Sequence, residues 1–362
     1  MAGLKDGIFV EKLGSFLQKK LEEAHQTNNK SLIHIIESQY LIDSREGDNT
    51  PENNRRHYEA ETFPLFEGKP LKGLERLYRK SIAVEPTTIC AAHCRWCLRS
   101  NYDKLNLRVE DLELIARFIG SGERKDNVRE VLITGGDPFM VVDRLKILID
   151  LIIQYAPQIR VIRVGTRIPL QDPPRINKEL IRAITPRNGM SIEMATQVNH
   201  IDELFPESRD ALKRINEAGV RIYNQTVVLK DFNDEANILI ELFNELRYLN
   251  IECHYLFHCI PLIGMAHFRT SVDTGLRLTK EVVHSGEISG RAKPLYTALT
   301  DIGKISFYEG TIIKREQNRI LLQSNFSLKD RLKWNPDWEV PDTVELDEKG
   351  NMCVWYLDTN DD

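Results

Sequence analysis

The sequence predicts an α/β protein built on a parallel barrel or sheet of six βα units, with an N-terminal helical extension and a C-terminal extension that contains β-structure. Three observations favour this class. Short runs rich in Val and Ile alternate with segments of helical period between about residues 80 and 300, as in parallel βα units. A cysteine-rich loop directly follows the first strand, at the barrel end where active sites lie. At 362 residues and 41% hydrophobic content, the chain can bury one large core.

The individual elements follow from periodicity. Apolar runs predict six strands, at residues 81–88, 128–134, 160–165, 190–197, 221–229 and 251–259. Helical spacing predicts helices at residues 112–119, 144–155, 177–184, 208–218 and 235–249, and a final one near 275–285. Beyond residue 300, residues 304–309 and 311–324 are typical of strands or a hairpin.

The N-terminal region is predicted to form two amphipathic helices. Phe9, Leu13, Leu17 and Leu21 recur every four residues, and residues 32–41 form a second apolar stripe. A polar break over residues 44–61 indicates a linker or surface loop. The predicted division is 1–70 for the N-terminal extension, 71–300 for the barrel and 301–362 for the C-terminal extension.

The composition and the lack of long apolar segments predict a cytoplasmic protein. A net charge of −5 and a pI near 6.1 give no general attraction to nucleic acid or to an anionic membrane. No run of about 18 apolar residues is present, and the first residues form no continuous apolar segment of a signal peptide. We therefore expect neither a nucleic-acid nor a membrane partner.

The strongest motif is CxxxCxxC, formed by Cys90, Cys94 and Cys97. Three thiolates leave one iron of a four-iron cluster open to a small molecule, whereas four thiolates favour simple electron transfer. An alternative is a closed zinc site of Cys90, His93, Cys94 and Cys97 in a non-enzymatic module. Adjacent His93 and Cys94 make the zinc site less natural. The scattered Cys253, Cys259 and Cys353 are expected to be buried small hydrophobes.

A glycine-rich strand end supports the iron–sulfur interpretation. Gly135, Gly136 and Asp137 close the second predicted strand, and glycines there let the backbone approach a ligand closely. With the cysteine spacing, this pattern resembles the radical S-adenosylmethionine (SAM) superfamily. The resemblance implies that the six units form a partial (β/α)6 barrel. It also implies a [4Fe-4S] cluster held by the three cysteines, SAM on the open iron, the SAM amino group at Gly135, Gly136 and Asp137, and Trp96 near the adenine. A core aromatic is an equal alternative for Trp96.

Further motifs resemble the lysine 2,3-aminomutase family in order and spacing over roughly residues 60–325. They are Phe63-Pro64-Leu65, Gly73-Leu74-Glu75-Arg76, Leu98-Arg99, the segment 132–137, the segment 164–169, Val198-Asn199-His200, the segment 224–229 with Asn233-Asp234, the segment 267–270, and Gly303-Lys304. The resemblance implies a second cofactor, pyridoxal 5′-phosphate (PLP), joined as a Schiff base to Lys304.

The same resemblance implies roles for other side chains. Arg76 and Lys80, or equally Arg79, stand near the family's pair of phosphate-binding arginines. Arg99 matches the arginine that binds the substrate carboxylate, which suits a planar guanidinium. Asn224 and Gln225 would contact SAM. The residues Thr166, Arg167, Asn199 and His200 also lie at predicted strand ends, and His200 is equally well interpreted as a locally bonded helix-start residue.

The function that this resemblance implies is a PLP-dependent amino acid 2,3-aminomutase, an isomerase that moves an α-amino group to the β-carbon. Its partners would be a small amino acid and an electron donor such as flavodoxin or ferredoxin, in a possible homo-oligomer. One departure argues against free lysine as substrate: the family's aspartates for the distal ammonium correspond to Ile260 and to Leu299 or Asp301. A second departure concerns assembly, since the family's C-terminal cysteine cluster, which supports oligomers in some members, is absent from this sequence. An alternative is a radical SAM enzyme that acts on another substrate without PLP.

Overall fold

The computed structural model describes residues 13–48, 50, 63–101 and 105–359, and is built around one curled nine-stranded sheet. The strands are β1 Leu65–Phe66, β2 Lys69–Pro70, β3 Leu74–Glu75, β4 Ser81–Thr87, β5 Glu130–Gly135, β6 Val161–Gly165, β7 Ser191–Thr196, β8 Arg221–Val228, β9 Glu252–His258, β10 Leu295–Thr300, β11 Gly303–Ser306, β12 Ile312–Glu316, β13 Arg319–Ser327, β14 Val344–Leu346 and β15 Asn351–Leu357. The main sheet has the order β11-β10-β9-β8-β7-β6-β5-β4-β3.

Helices connect the strands and cover one face of the sheet. The α-helices are α1 Ser15–Gln26, α2 Lys30–Tyr40, α3 Val109–Ile119, α4 Gly122–Asn127, α5 Val142–Tyr155, α6 Ile168–Gln171, α7 Lys178–Ile184, α8 Pro206–Glu217, α9 Ala236–Tyr248, α10 Val272–His284 and α11 Leu328–Trp334. Side-chain caps mark several starts: Asn29 accepts from the Leu32 amide, and Ser271 accepts from the Thr274 amide. No described helix has the length and apolarity needed to cross a bilayer.

The predicted fold class is confirmed, with one parallel strand more than expected. Strands β4 to β10 are all parallel, and β3 and β11 pair antiparallel at the two edges. The six predicted strands and six helices lie within a few residues of their expected bounds. The seventh parallel strand, β10, was not predicted because only Tyr296 and Ala298 carry its apolar face into the core. Thr297 between them faces Ser306 instead.

The core lies between the sheet and the helices. It is lined by the alternate strand residues that a period of two places on one face, among them Ile82, Val131, Ile162, Ile192 and Ile222. The intervening residues therefore face the concave side. The two sheet edges approach each other there, since the Lys304 amide donates to the Tyr78 hydroxyl at 2.8 Å. Gly303, at a φ of +122°, leaves room for that hydroxyl.

Both extensions pack on the barrel. Leu17, Leu21, Ile36 and Tyr40 of α1 and α2 form a buried cluster with Ala92 of the cysteine loop. The C-terminal strands form a four-stranded sheet of order β12-β13-β15-β14, and several of their apolar residues join the main core. The helices predicted at the N-terminus are confirmed from Ser15 onward, while Phe9 lies outside the described residues. The three-part division at residues 70 and 300 stays a prediction.

Candidate functional site

The cysteine loop begins where β4 ends and is held against the end of β5 by backbone hydrogen bonds. The Gly136 amide donates to the Thr87 carbonyl and the Asp137 amide to the Ile89 carbonyl, both at 2.7 Å. A Cβ at Gly136 would lie 2.4 Å from the Ile89 oxygen, so only glycine permits this approach. Gly135 adopts a φ of +110°. The two glycines therefore place the loop, and their proposed contact with SAM stays a prediction.

Asp137 links the ends of β5 and β6. Its carboxylate is 4% exposed and accepts from the Thr166 hydroxyl at 2.7 Å, the Phe139 amide at 3.0 Å and the Arg167 amide at 2.8 Å. Burial raises its pKa to about 6, although these hydrogen bonds act in the opposite direction. The contacts occupy the carboxylate with protein donors, so Asp137 serves at least to fix the strand ends around the loop.

Trp96 and Asn224, both predicted to contact SAM, are buried and hydrogen-bonded within the protein. The Trp96 indole donates to Gln197 Oε1 at 2.8 Å and packs edge-on against Phe268. Asn224 accepts from the Val198 amide and donates to the Val198 carbonyl and to Thr226. These contacts favour the core interpretation of Trp96 and a scaffolding contribution of Asn224, and contact with SAM stays a prediction for both.

Lys304 lies on β11 and faces the concave side of the sheet. Its ammonium stands 5.1 Å from the Tyr255 ring centroid and 5.6 Å from that of Phe257, both on β9. Burial, together with the positive charges of Arg163 and Arg99, lowers its pKa to about 8. A depressed pKa leaves more neutral amine near pH 7, which is the form that attacks a carbonyl. Lys304 is therefore chemically suited to its predicted role.

Arg99 shares this concave space with an acidic partner. Its Nε donates to Glu85 Oε1 at 2.5 Å, and the Glu85 side chain is only 8% exposed. Glu75, from β3, is also close: burial raises its pKa, Arg99 opposes the rise and Glu85 adds to it. A substrate carboxylate would therefore meet a guanidinium that two glutamates already attract.

A polar group on β6 to β9 completes the concave face. The Arg163 guanidinium donates to Glu193 at 3.2 Å and lies 5.4 Å from the Tyr223 ring centroid, and Tyr223 packs against His254. Burial lowers the pKa of His254, and Arg163 and Lys304 add to the effect. None of these residues was predicted from the sequence. The sequence signal that could have found them is the alternation along each predicted strand. Polar side chains at every second position face the side of the sheet away from the apolar core.

The predicted phosphate ligands are not brought to this face. Arg76 pairs with Glu123, donates to the carbonyl of Arg79 at 2.8 Å and stacks on Trp334. Lys80 is exposed, and Arg79 donates to Asn127 at 3.0 Å.

Two other predicted residues lie on or near β8 and β7. Gln225 lies two residues after Tyr223 on β8, so both side chains face the concave side of the sheet. His200 accepts from the Asp202 amide and starts a short 3-10 helix, which confirms the alternative interpretation of this residue.

The Cys94 sulfur is hydrogen-bonded to side chains outside the cysteine loop. Cys94 Sγ receives two N–H donors, from Arg167 at 2.7 Å and from Gln171 at 3.5 Å. Such donors are common around sulfurs that bind a metal. In the part of the chain that the structure describes, no group of three or more His, Cys, Asp or Glu side chains is gathered closely enough for one metal ion. Ligation of a cluster by Cys90, Cys94 and Cys97 stays a prediction.

The parallel barrel and the three-cysteine loop at its carboxyl end define a radical SAM protein. In agreement, the Radical SAM superfamily model matches residues 84–243. Members of this superfamily carry a [4Fe-4S] cluster and use SAM.

The comparison with individual proteins narrows the family. The chain is 31% identical over 270 residues to the protein named "Putative L-lysine 2,3-aminomutase" of Aquifex aeolicus, covering 73% of this chain and 71% of that protein. It is 29% identical to the L-lysine 2,3-aminomutase of Fusobacterium nucleatum, over 72% of this chain and 61% of that one. It is 29% identical to the glutamate 2,3-aminomutase of Clostridioides difficile, over 63% of this chain and 53% of that one.

The chain therefore belongs to the lysine 2,3-aminomutase family of radical SAM enzymes, although its match spans less than two thirds of the Fusobacterium enzyme. Among solved structures, Streptococcus suis SuiB bound to precursor peptide SuiA covers 76% of this chain and is itself covered to 54%, with a TM-score of 0.45 and 16% identity. That likeness carries no argument about function.

Proposed function

We propose that the protein is a PLP-dependent radical SAM amino acid 2,3-aminomutase. The observation that carries the proposal is the position of Lys304, which faces the concave side of a barrel whose carboxyl end bears the three-cysteine loop. Arg99, two residues beyond Cys97, is near enough to depress the Lys304 pKa. A nucleophilic amine and the candidate cluster loop therefore share one space.

The two cofactors would divide the chemistry. The cluster, when bound by Cys90, Cys94 and Cys97, supplies an electron at an iron open to SAM. PLP, when bound, supplies a carbonyl that condenses with amines and a conjugated ring that spreads an unpaired electron. The residues present fit the aldehyde end of PLP, through Lys304. They do not fit its phosphate at Arg76 and Lys80, because Arg76 is paired elsewhere and Lys80 is exposed.

The chain's own residues would orient the substrate and exclude water. Arg99 would bind the substrate carboxylate through its planar guanidinium, with Glu85 holding the arginine in place. Tyr255 and Phe257 would form one wall beside the reacting amine. A walled, oriented site matters here, because a carbon radical that meets solvent or oxygen is lost to side reactions.

The residues at the positions of the family's ammonium-binding aspartates argue for a substrate other than lysine. Ile260 is partly buried against the apolar cluster that contains Trp96 and Cys259. Leu299 is the cross-strand neighbour of Lys304, while Asp301 accepts from the Thr343 hydroxyl at 2.6 Å. A buried ammonium without a carboxylate is costly. We therefore propose an amino acid without a distal ammonium, and mid-sized apolar side chains suit apolar residues at both positions best.

An absorption measurement tests the PLP assignment. Protein reconstituted anaerobically with iron, sulfide and PLP should show an imine absorption band. Lys304→Ala should lose the band, whereas the exposed Lys293→Ala should keep it. A band of equal intensity in Lys304→Ala would contradict the assignment of Lys304.

Arg76 and Lys80 do not fit the PLP phosphate, and this favours a second candidate function. In that candidate, the protein is a radical SAM enzyme that acts without PLP. Protein that cleaves SAM but shows no PLP binding by absorption or by equilibrium dialysis would support that candidate. Protein that binds one equivalent of PLP would favour the aminomutase.

A further inference from the structure

The sulfur of Cys94 stands in a hydrogen-bonded setting that the proposed reaction does not by itself require. Arg167 Nη1 lies 2.7 Å from Cys94 Sγ, and Gln171 Nε2 lies 3.5 Å from the same atom. Both donors come from the start of the segment that follows β6, so they approach the cysteine loop from a neighbouring strand end. Both side chains are buried, at 8% and 2% exposure.

Other hydrogen bonds hold the Arg167 guanidinium in this position. Its Nε donates to the Gln197 carbonyl at 2.9 Å, and its Nη2 donates to Gln39 Oε1 at 2.8 Å and to Glu203 Oε2 at 2.5 Å. The guanidinium also lies 5.4 Å from the Trp96 ring centroid and 5.6 Å from that of Tyr40. The planar fork is therefore fixed by contacts from four segments, with one arm directed at the sulfur.

Glu203 is fixed in turn. Its Oε1 accepts from the amides of Asn199 and His200, at 2.7 and 2.8 Å. The Arg167–Glu203 ion pair is therefore a buried, hydrogen-bonded contact beside the cysteine loop and not a surface contact. A buried pair of this kind is costly to assemble unless each partner is fully bonded, and here it is well supplied with partners.

We infer that Arg167 is a positioning residue that sets the reduction potential of the cluster through Cys94. Hydrogen bonds to cluster sulfurs and a nearby positive charge stabilise the extra electron of the reduced cluster, and so raise its potential. Gln171 contributes in the same direction without a charge. The consequence is a cluster that a flavodoxin-like or ferredoxin-like donor reduces more readily. The inference rests on the proposed assignment of Cys94 as an iron ligand.

The test is a redox titration of full-length, anaerobically reconstituted protein, followed by the electron paramagnetic resonance signal of the reduced cluster. At the wild-type midpoint potential, Arg167→Gln should lower the ratio of reduced to oxidised cluster at least tenfold, equivalent to about 59 mV for a one-electron couple. Arg167→Lys, which keeps the charge, should recover part of the shift. Gln171→Leu should shift the midpoint in the same direction by less.

The matched control is Arg175→Gln, which removes a more exposed arginine of the same segment that pairs only locally, with Asp172 at 3.1 Å. Its midpoint should equal that of the wild type. Because Arg167→Gln leaves Glu203 without its cation, Arg167→Gln/Glu203→Gln is measured beside it. If none of the three Arg167 variants holds iron, the midpoint of Gln171→Leu decides the question.

The outcomes distinguish a failure of the inference about Arg167 from a failure of the assignment of Cys94 as an iron ligand. Iron- and sulfide-loaded variants of Arg167 and Gln171 with the wild-type midpoint would overturn this inference alone. Wild-type protein without iron and sulfide, or a Cys94→Ala variant that holds the full cluster, would overturn the ligand assignment on which it rests.

Discussion

At the residue scale, the concave face of the barrel gathers charges that change one another's acidity. Lys304, Arg163 and Arg99 repel one another, while Glu85 and Glu193 each pair with one of the arginines. The result is a lysine that loses its proton at a pH near 8 rather than 10.5. A pKa depressed in this way is typical of a lysine that acts as a nucleophile.

That cost should be measurable as a pH-dependent stability. The folded chain releases the Lys304 proton at about pH 8 and the unfolded chain near 10.5, so the unfolded chain binds more protons between these values. Stability of the wild type should therefore rise with pH in that window. Lys304→Met should be more stable by about 2 kcal/mol at pH 7, a value already reduced for the partial exposure of the side chain.

Urea unfolding at pH 7 and at pH 10 measures this difference, which should shrink at the higher pH. Lys293→Met, at an exposed position, should show no such trend. An advantage of Lys304→Met that stays constant with pH would contradict the depressed pKa of Lys304.

Asp137 makes the second residue-level prediction, with the opposite sign. Its folded pKa of about 6 lies above the ordinary 3.8, so the folded chain binds more protons between these values and stability falls as pH rises through them. Asp137→Asn should flatten this dependence. It should also destabilise by about 2 kcal/mol, because an amide has one acceptor oxygen for the Phe139 and Arg167 amides.

Thermal unfolding between pH 4 and 7 tests both effects, with the exposed Asp143→Asn as the control. An Asp137→Asn variant as stable as the wild type would show that the carboxylate does not join the ends of β5 and β6.

At the scale of elements, the end of β5 and the cysteine loop behave as one unit. A Cβ at residue 136 would collide with backbone atoms of Thr88 and Ile89, which cannot move like a flexible side chain. Gly136→Ala should therefore push the loop away, break the bonds of the Gly136 and Asp137 amides, and cost about 3 kcal/mol or more.

Iron and sulfide content after reconstitution measures the outcome for the site, and Gly136→Ala should bind less than half of the wild-type amount. Gly290→Ala is the matched control, since nothing lies within 4 Å of its added Cβ. Full cluster content in a stable Gly136→Ala protein would contradict the close packing of strand end and loop.

Elements were more predictable than side-chain partners, for physical reasons. The six longer barrel helices and six of the seven parallel strands could be predicted because burial imposes a period on each segment independently of the others. The cysteines could be named because three thiolates at this spacing have a distinctive chemistry, and Lys304 because its position matches a family motif. The partners of Arg163, Glu85 and Arg167 could not be predicted, since they depend on which strands become neighbours. The same limit explains the placement of Arg76, because nothing in the sequence indicates that Arg76 forms an ion pair with Glu123.

At the scale of the whole molecule, the N-terminal helices are coupled to the cysteine loop. Arg95 donates its amide to the Gln39 carbonyl at 3.0 Å, and its guanidinium pairs with Asp43 at 2.9 Å and with Glu46. Gln39 also accepts from Arg167. Since these contacts attach α2 to the segment that would carry the cluster, removal of the cluster should loosen this helix.

Hydrogen exchange measures that coupling. Amides of α2, Lys30–Tyr40, should exchange at least about threefold faster in cluster-free protein than in reconstituted protein, because local opening is easier where contacts are lost. Amides of α10, Val272–His284, on another part of the barrel, should change little. Equal exchange in α2 with and without the cluster would show that the helices pack on the barrel independently of the loop.

The most direct test of the proposed function is a product assay. Reconstituted protein is supplied anaerobically with SAM, PLP and a reductant, and the twenty amino acids are screened for β-amino acid products by mass spectrometry. We predict a β-amino acid from at least one substrate without a distal ammonium, no more than a trace from lysine, and no product from Lys304→Ala. Cleavage of SAM to 5′-deoxyadenosine without a β-amino acid from any of the twenty, in protein that holds its cluster and PLP, would contradict the assignment.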